Sequence, residues 1–198
     1  QCLGKMSIDV QRLGVDFLSL SAHKFYGPKG VGALYAKNPK ILKPLITGGN
    51  QEGSLRSGTE NIPYIAAMGL ASEIATKSLK KNISHIQSLE KQFKQKLQSN
   101  FRNIIFNGSQ SQKLPGLISI SFPGFNSDIL IIKLDREKIY VSNGSACGSG
   151  LVKPSHVLEA IGLDESTNLS TLRFSFGISN NFEEIETLIH ILKNKILK

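Results

Sequence analysis

The stretch of residues 15–30 constrains what this chain can fold into more than any other part of the sequence. Its apolar run at residues 15–20 is too short for an ordinary helix and predicts a buried β-strand. The dipeptide Gly27-Pro28 that follows is a strong turn signal, and a second apolar run comes at residues 32–36. The sequence therefore predicts a hairpin with polar residues at the end of its first strand.

Lys24 lies among those polar residues, directly after the predicted strand. Partial desolvation there would disfavour the ammonium form of the side chain, and a free amine can condense with a carbonyl to form a Schiff base. The alternative is a surface lysine after an edge strand, which is the better interpretation for a lysine taken by itself.

Residues 142–150 are rich in glycine and serine and contain Cys147. Such a segment cannot form a core, so its cysteine is predicted to be exposed, and exposed thiols are the ones that react. The alternative is a loop that carries an incidental cysteine.

Two further stretches carry polar residues that suit an anionic ligand. The glycine-rich loop at residues 48–59 offers backbone N–H groups, the Arg56 guanidinium and the Thr59 hydroxyl. Arg173 lies on an alternating, strand-like segment among apolar neighbours, where its guanidinium needs a partner such as a carboxylate. The alternatives are a capping role for Thr59, before a helix that begins near Asn61, and a structural ion pair for Arg173.

The second half of the chain alternates between two periodicities. Strand-like segments at residues 104–106, 117–122, 139–142 and 171–176 alternate with helical ones at 128–134, 155–161 and 181–197. This order predicts an α+β arrangement. Residues 62–97 before it have a helical period, either as one helix with a bend near Lys81 or as two helices, and we expect the domain boundary in this region.

Three of these motifs together resemble one known family. Residues 21–35 (SAHKFYGPKGVGALY) are similar to the cofactor-binding lysine segment of the pyridoxal 5'-phosphate (PLP) cysteine desulfurases of the NifS/IscS type. Residues 144–147 (GSAC), followed by a glycine- and serine-rich run and Pro154-Ser155, resemble the catalytic loop of that branch, and residues 56–59 resemble a third family motif. The resemblance implies an α/β fold. Residues 1–76 would be the C-terminal part of a fold type I PLP-binding large domain, and residues 77–198 a small α+β domain that carries the cysteine loop.

The resemblance also implies roles in cofactor binding. Lys24 would hold PLP and act as base and acid, and Ser21 and His23 would contact the cofactor phosphate and its neighbourhood. Thr59 would reach the phosphate of a neighbouring subunit in a homodimer. Gln1 matches the family residue that contacts the phenolic oxygen, and the aspartate that pairs with the pyridine nitrogen would precede it. The sequence is therefore expected to be a piece of a longer chain that does not hold PLP well alone.

The implied reaction converts L-cysteine to L-alanine. Cys147 would take the sulfur as a persulfide and pass it to acceptors for iron–sulfur cluster or thiolated tRNA synthesis. The partner would be an iron–sulfur scaffold or another sulfur-acceptor protein, and Cys147 could contact a cluster transiently. Arg173 would bind the substrate carboxylate. The alternatives are another class-V PLP enzyme, such as a selenocysteine lyase or an aminotransferase, and a non-catalytic fragment that binds a partner. A thiol in such a loop argues against the aminotransferase.

Composition excludes several classes of protein. The formal net charge of +9 raises the question of nucleic-acid binding, but many lysines fall on the helical stretch 76–96 without arginine clusters or interleaved aromatic residues. A solvated basic face, which would favour an acidic partner protein, is the better interpretation, and no direct binding to nucleic acid is expected. No apolar run approaches the length of a membrane span, so no membrane association is expected.

The cysteine and histidine residues give no sign of a disulfide framework or a metal site. The sequence has two cysteines, Cys2 and Cys147, which favours a reducing compartment such as the cytoplasm. His85, His156 and His190 fall on helical patterns without the spacing of metal ligands, so no bound metal is expected.

Overall fold

The computed structural model describes residues 1–143 and 154–197. These residues form two compact units, Gln1–Ile83 and Ser84–Lys198. The domain boundary expected between residues 76 and 77 stays a prediction. The elements in chain order are α1 (Val10–Leu13), β1 (Phe17–Ser21), β2 (Gly32–Ala36), α2 (Ile62–Lys77), α3 (Leu79–Asn100), β3 (Ile105–Phe106), β4 (Leu117–Ser121), α4 (Ser127–Arg136), α5 (His156–Ala160), α6 (Glu165–Leu169), β5 (Thr171–Ser175) and α7 (Phe182–Ile191).

The first unit contains the predicted hairpin, which is confirmed. β1 and β2 pair antiparallel, with Phe17 opposite Ala36 and Ser21 opposite Gly32. Only glycine fits at position 32, because a Cβ there would lie 2.5 Å from the carbonyl oxygen of Leu20. The short 3₁₀ turn Ala22–Phe25 follows β1 directly, so the end of the first strand carries the polar residues.

The expectation that the first strand is buried is wrong for the described chain. No residue of β1 is buried. The buried apolar residues of this unit are Ala22, Phe25 and Ala75, since α2 covers the turn after β1. Among the described residues of this unit, no further layer of secondary structure covers the two-stranded sheet. The apolar side chains of β1 and β2 therefore stay partly exposed.

The helical region after the glycine-rich loop forms two helices. α2 ends at Lys77 and α3 begins at Leu79, so the break falls at Ser78. The second of the two alternatives, two helices, is therefore confirmed, and the chain is continuously helical near Lys81, where the first alternative placed a bend. Asn61 takes the N-cap position of α2 but makes no side-chain capping hydrogen bond.

The second unit is built on a three-stranded antiparallel sheet in the order β3-β4-β5. Helices α3, α4 and α7 supply the apolar side chains that pack with β4 and β5 in one core. α3 buries Ile86, Leu89, Phe93 and Leu97, whose spacing of three or four residues places them on one face, and the last three belong to this core. The predicted α+β arrangement of this region is confirmed.

Three local features of the second unit differ from the sequence expectations. The predicted strand at residues 139–142 is a single antiparallel bridge between Ser142 and Arg173. The short helix α6 had not been expected, although Asp164 caps it by accepting a hydrogen bond from the Thr167 backbone N–H at 3.0 Å. The last helix ends at Ile191 and continues as a wider π-type turn over Leu192–Ile196. Within the described ranges, none of the helices combines the length and the apolar character that a membrane span requires.

Candidate functional site

Lys24 lies on the 3₁₀ turn Ala22–Phe25, which the surrounding packing fixes firmly. Ala22 and Phe25 are buried beneath the turn, with 0% and 3% of their surface exposed. The backbone N–H of Gly27 donates to the Ala22 carbonyl oxygen at 2.9 Å, and a Cβ at Gly27 would lie only 2.9 Å from the Ala22 Cβ. The turn therefore presents its intervening residues, His23 and Lys24, at a defined point after β1.

Ser21, His23 and Lys24 form an exposed polar group at the end of β1. Among the described residues, neither the Lys24 amine nor the His23 ring has a hydrogen bond or an ion pair within the structure. Because the Lys24 side chain is exposed, the described chain does not provide the partial desolvation that was considered from the sequence. These side chains are held by their backbone and not by neighbouring polar groups, so they can take up a ligand without breaking an existing bond.

Two side-chain hydrogen bonds hold the conformation of the glycine-rich loop. Gln51 Oε1 accepts from the Gly58 backbone N–H at 3.2 Å, and Ser57 Oγ donates to the Ile46 carbonyl oxygen at 3.1 Å. Gly58 has φ of +104°, a conformation that favours glycine. Thr59 and Arg56 are exposed beside these fixed residues, and within the described part of the chain neither side chain has a hydrogen-bond partner.

Gln1 belongs to the same unit. It is exposed, and the residues after it form a turn in which the Lys5 backbone N–H donates to the Cys2 carbonyl oxygen at 2.9 Å. Cys2 is half-buried and free of disulfides. Nothing in this turn engages the Gln1 amide, whose role toward a cofactor stays a prediction.

Arg173 lies in the second unit, at the centre of β5. It pairs with Ser119 on β4, and on its other side its backbone N–H donates to the Ser142 carbonyl oxygen at 2.6 Å. The Ser142 backbone N–H returns a bond to the Arg173 carbonyl oxygen at 3.2 Å. Arg173 is half-buried, as the alternating pattern of its strand indicated.

Cys147 lies outside the described residues, and so do its neighbours at residues 144–153. Asn143 directly precedes this segment and Asn168 contacts Ser155 after it, and the sequence analysis singled out neither asparagine. Asn168 lies on the unexpected helix α6, far along the sequence from the residue that it contacts. A pairing of this kind leaves no local pattern, so only the structure could have found it.

The donor set of the first unit fits PLP. The group carries an anionic phosphate and an aldehyde, and the turn and the glycine-rich loop offer two hydroxyls, an imidazole, a guanidinium and an amine that have no partner in the described chain. Hydroxyl and guanidinium groups donate to phosphate, and a primary amine condenses with an aldehyde. Ser21 and His23 would accordingly hold the phosphate side and Lys24 the aldehyde, whereas Thr59 would reach the phosphate of a PLP bound to a neighbouring subunit. Within the described ranges no group of three or more His, Cys, Asp or Glu side chains is arranged to hold a metal ion.

Comparison with known proteins assigns the family. The family model of the class-V aminotransferases matches residues 1–188. The chain belongs to the class-V aminotransferase family. It is 39% identical to the cysteine desulfurase IscS of Dictyoglomus turgidum over 198 residues, all of this chain and 50% of that protein.

Solved structures agree with this assignment. A NifS-like protein superposes with a TM-score of 0.87 at 34% identity, over 98% of this chain and 49% of the other. A structure described as SspA in complex with cysteine matches with a TM-score of 0.67 at 34% identity, over 91% of this chain and 49% of the other. The predicted α/β fold of the NifS/IscS type is confirmed. The chain spans about half the length of the relatives that it matches.

Proposed function

We propose that this chain works as part of a PLP-dependent cysteine desulfurase, which converts L-cysteine to L-alanine and transfers the sulfur as a persulfide on Cys147. The observation that carries the proposal is the Lys24 turn, since it holds an unpartnered amine at a fixed point beside hydroxyl and imidazole groups. Similarity to a cysteine desulfurase along the whole of this chain supports the same reaction.

PLP, when bound, would supply an electron sink for the substrate carbons. The residues of this chain would bind it and move protons. Ser21 and His23 would donate to its phosphate and Gln1 to its phenolic oxygen, whereas Thr59 would donate to the phosphate of the PLP in the neighbouring subunit. Lys24 would take a proton from the substrate Cα, deliver one to Cβ, and give the Cα proton back before L-alanine leaves. His23, next to Lys24 on the same turn, would assist in that proton transfer.

Arg173 and Cys147 would act on the substrate itself. The Arg173 guanidinium would bind the carboxylate of L-cysteine, and the cysteine complex of a relative of similar fold supports this substrate. The Cys147 thiolate would form a bond to the substrate sulfur as the substrate Cβ–S bond breaks. The electron pair of the broken bond would end in a new Cβ–H bond of L-alanine, and Cys147 would keep the sulfur as a persulfide.

The proposal includes an assembly and a destination for the sulfur. The whole protein would act as a homodimer in a reducing compartment such as the cytoplasm, with residues 1–76 in its PLP-binding domain and residues 77–198 in its cysteine-bearing domain. The sulfur would pass to a scaffold for iron–sulfur clusters or to another acceptor protein, and Cys147 could contact the cluster for a short time. The net positive charge of this chain would favour an acidic acceptor.

The test is the formation of L-alanine and sulfide from L-cysteine, with a thiol reductant, by the full-length protein that contains this chain. Lys24→Ala should abolish both products and the visible absorption of bound PLP, because it removes the amine that holds the cofactor. Lys29→Ala, at an exposed lysine shortly after the same turn, is the matched control and should change neither.

Cys147→Ala separates this activity from that of other enzymes of the family. It should keep the absorption of bound PLP and lose sulfide formation. If the unmodified protein catalyses transamination but forms no sulfide, the proposed function is wrong and the protein is an aminotransferase.

Addition of PLP to the 198-residue chain alone tests whether this chain is incomplete as a PLP-binding protein. A stable stoichiometric absorption band of bound PLP would contradict that expectation.

A further inference from the structure

Asn168 holds Ser155 by both sides of its amide. Its Oδ1 accepts from the Ser155 backbone N–H at 2.9 Å, and its Nδ2 donates to the Ser155 carbonyl oxygen at 3.0 Å. Asn168 is 5% exposed and Ser155 is 7% exposed. A buried amide is costly unless its polar atoms are bonded, and here both bonds go to the backbone of one residue. The arrangement fixes the position and the orientation of Ser155 together.

A second attachment precedes residue 144. The Asn143 Nδ2 donates to Asp128 Oδ1 and, at 3.4 Å, to Ser127 Oγ, both in the first turn of α4. Its neighbour Ser142 is paired with Arg173 on β5 by two backbone hydrogen bonds. The backbone on this side is therefore tied to a helix and to a strand of the core.

Both attachments lead to the same short stretch of chain. Ser142 is bonded to Arg173, and Ser155 is bonded to Asn168, which lies just before β5. Residues 168 and 173 are five positions apart, so even a fully extended chain would separate them by no more than about 18 Å. The two points that flank residues 144–153 in sequence are thus held to one rigid part of the second unit, next to Arg173.

We propose that Asn168 and Asn143 are positioning residues, which fix the backbone on the two sides of the Cys147 segment and thereby set how fast the Cys147 sulfur takes up the sulfur of the substrate. The inference rests on the proposed function and adds residues to it. The two attachments set where the backbone enters and leaves this segment, and correct placement of a reacting group can change a reaction rate by roughly 100-fold. Neither asparagine contacts the substrate in this account, because both act through the backbone.

The experiment uses the full-length protein with PLP and compares Asn168→Ala with Asn180→Ala. Asn180 is a matched control, since its Oδ1 also accepts from a backbone N–H, that of Gly177 at 2.8 Å, and it takes part in neither attachment. Persulfide formation on Cys147 is followed in a single turnover by mass spectrometry. The change in absorption of bound PLP upon addition of L-cysteine reports the events at Lys24 separately.

Asn168→Ala should slow persulfide formation roughly 10- to 100-fold, the range seen when reacting groups are slightly misplaced. It should leave the absorption change intact, and kcat should fall with KM unchanged. Asn180→Ala should match the parent protein in every measurement. Equal rates for the two variants would overturn the inference, and so would a loss of the absorption change in parallel with the transfer rate, because that pattern indicates general damage to the fold.

A second variant covers the case in which Asn168→Ala fails to fold. Asn143 is only half-buried, so Asn143→Ala should fold and should show the same selective loss of transfer. Its failure to do so would overturn the inference. If the unmodified protein forms no persulfide on Cys147, the proposed function fails and the inference fails with it. If the unmodified protein forms the persulfide and both variants do so at the same rate, the inference alone fails.

Discussion

The two compact units differ in how completely they bury their own apolar side chains. In the second unit, α3, α4 and α7 close over β4 and β5, and Leu89, Phe93 and Leu97 lie in a continuous core with no exposed surface. In the first unit the buried apolar cluster consists of Ala22, Phe25 and Ala75.

The apolar side chains of the first unit are present but remain uncovered within it. α2 exposes large apolar side chains on several sides, and β1 and β2 expose others. The exposed members are Phe17, Leu34, Ile62, Tyr64, Ile65, Leu70 and Ile74. A helix that is apolar all round is typical of a protein interior. The second unit therefore has a complete core, whereas the first exposes apolar surface of the kind that another polypeptide layer usually covers.

The largest expected effect appears when the units are produced separately. Residues 84–198 should unfold cooperatively on heating, because their core is closed. Residues 1–83 should show no cooperative transition and should bind a dye specific for exposed apolar surface. Circular dichroism and dye fluorescence measure the two outcomes, with the 198-residue chain as the reference. A sharp transition for residues 1–83 would show that the first unit also has a closed core and would contradict this prediction.

Two phenylalanines, one in each unit, test the difference in burial at single residues. Phe93 is 0% exposed and its ring lies 5.0 Å from that of Phe174, whereas Phe17 on β1 is 44% exposed. Phe93→Ala should lower the free energy of unfolding of the second unit by about 3–5 kcal/mol. Phe17→Ala should leave that transition unchanged. Denaturant unfolding of the 198-residue chain measures both.

An equal shift for the two variants would mean that both phenylalanines belong to one cooperative core. The distinction between a closed and an uncovered unit would then be lost.

The same contrast explains what the sequence could and could not predict. The hairpin and the longer helices followed from local periodicity and from turn residues such as Gly27 and Pro28, because these act over a few positions. Burial of β1 did not follow. An apolar run indicates that a strand prefers to be covered, but what covers it depends on other parts of the polypeptide.

The candidate site divides along the same line. Lys24 could be proposed from sequence because its neighbours along the chain build the turn that presents it. The bond between Asn168 and Ser155 could not, since the two residues meet only after α5 and α6 have folded. The roles of Gln1, Ser21, His23, Lys24, Thr59, Cys147 and Arg173 toward a cofactor or substrate stay predictions.

Glu90 provides the next test, because it is a charged residue within the closed unit. It is 9% exposed and bonded to Lys113 and Lys94 at 2.7 Å each and to the Gly116 backbone N–H at 3.0 Å. Burial alone would raise the pKa of Glu90, but the hydrogen bonds from Lys113, Lys94 and Gly116 outweigh it and lower the pKa below 4.5. Glu90→Gln should therefore cost about 1–3 kcal/mol of stability at neutral pH.

The pH dependence of this cost has a definite sign. A carboxylate whose pKa is lower in the folded state contributes stability above its unfolded pKa, and the contribution is lost as the pH falls through the folded value. The difference between the parent and Glu90→Gln should thus be constant above about pH 5 and shrink below pH 4.5. Urea unfolding of residues 84–198 at several pH values measures it. A difference that grows on acidification would contradict the assignment.

The smallest effect is expected for Glu186, which also bonds to α3 but lies in water. Its Oε2 is 2.7 Å from the Lys96 amine, and Gln92 donates to its Oε1 at 2.9 Å. The hydrogen bond from Lys96 lowers the pKa of Glu186, as in Glu90. Solvent and salt screen this exposed pair, so Glu186→Gln should unfold at the same urea concentration as the parent at neutral pH and physiological salt. A shift as large as that of Glu90→Gln would mean that the number of charged contacts, and not their burial, decides what α3 contributes to the closed unit.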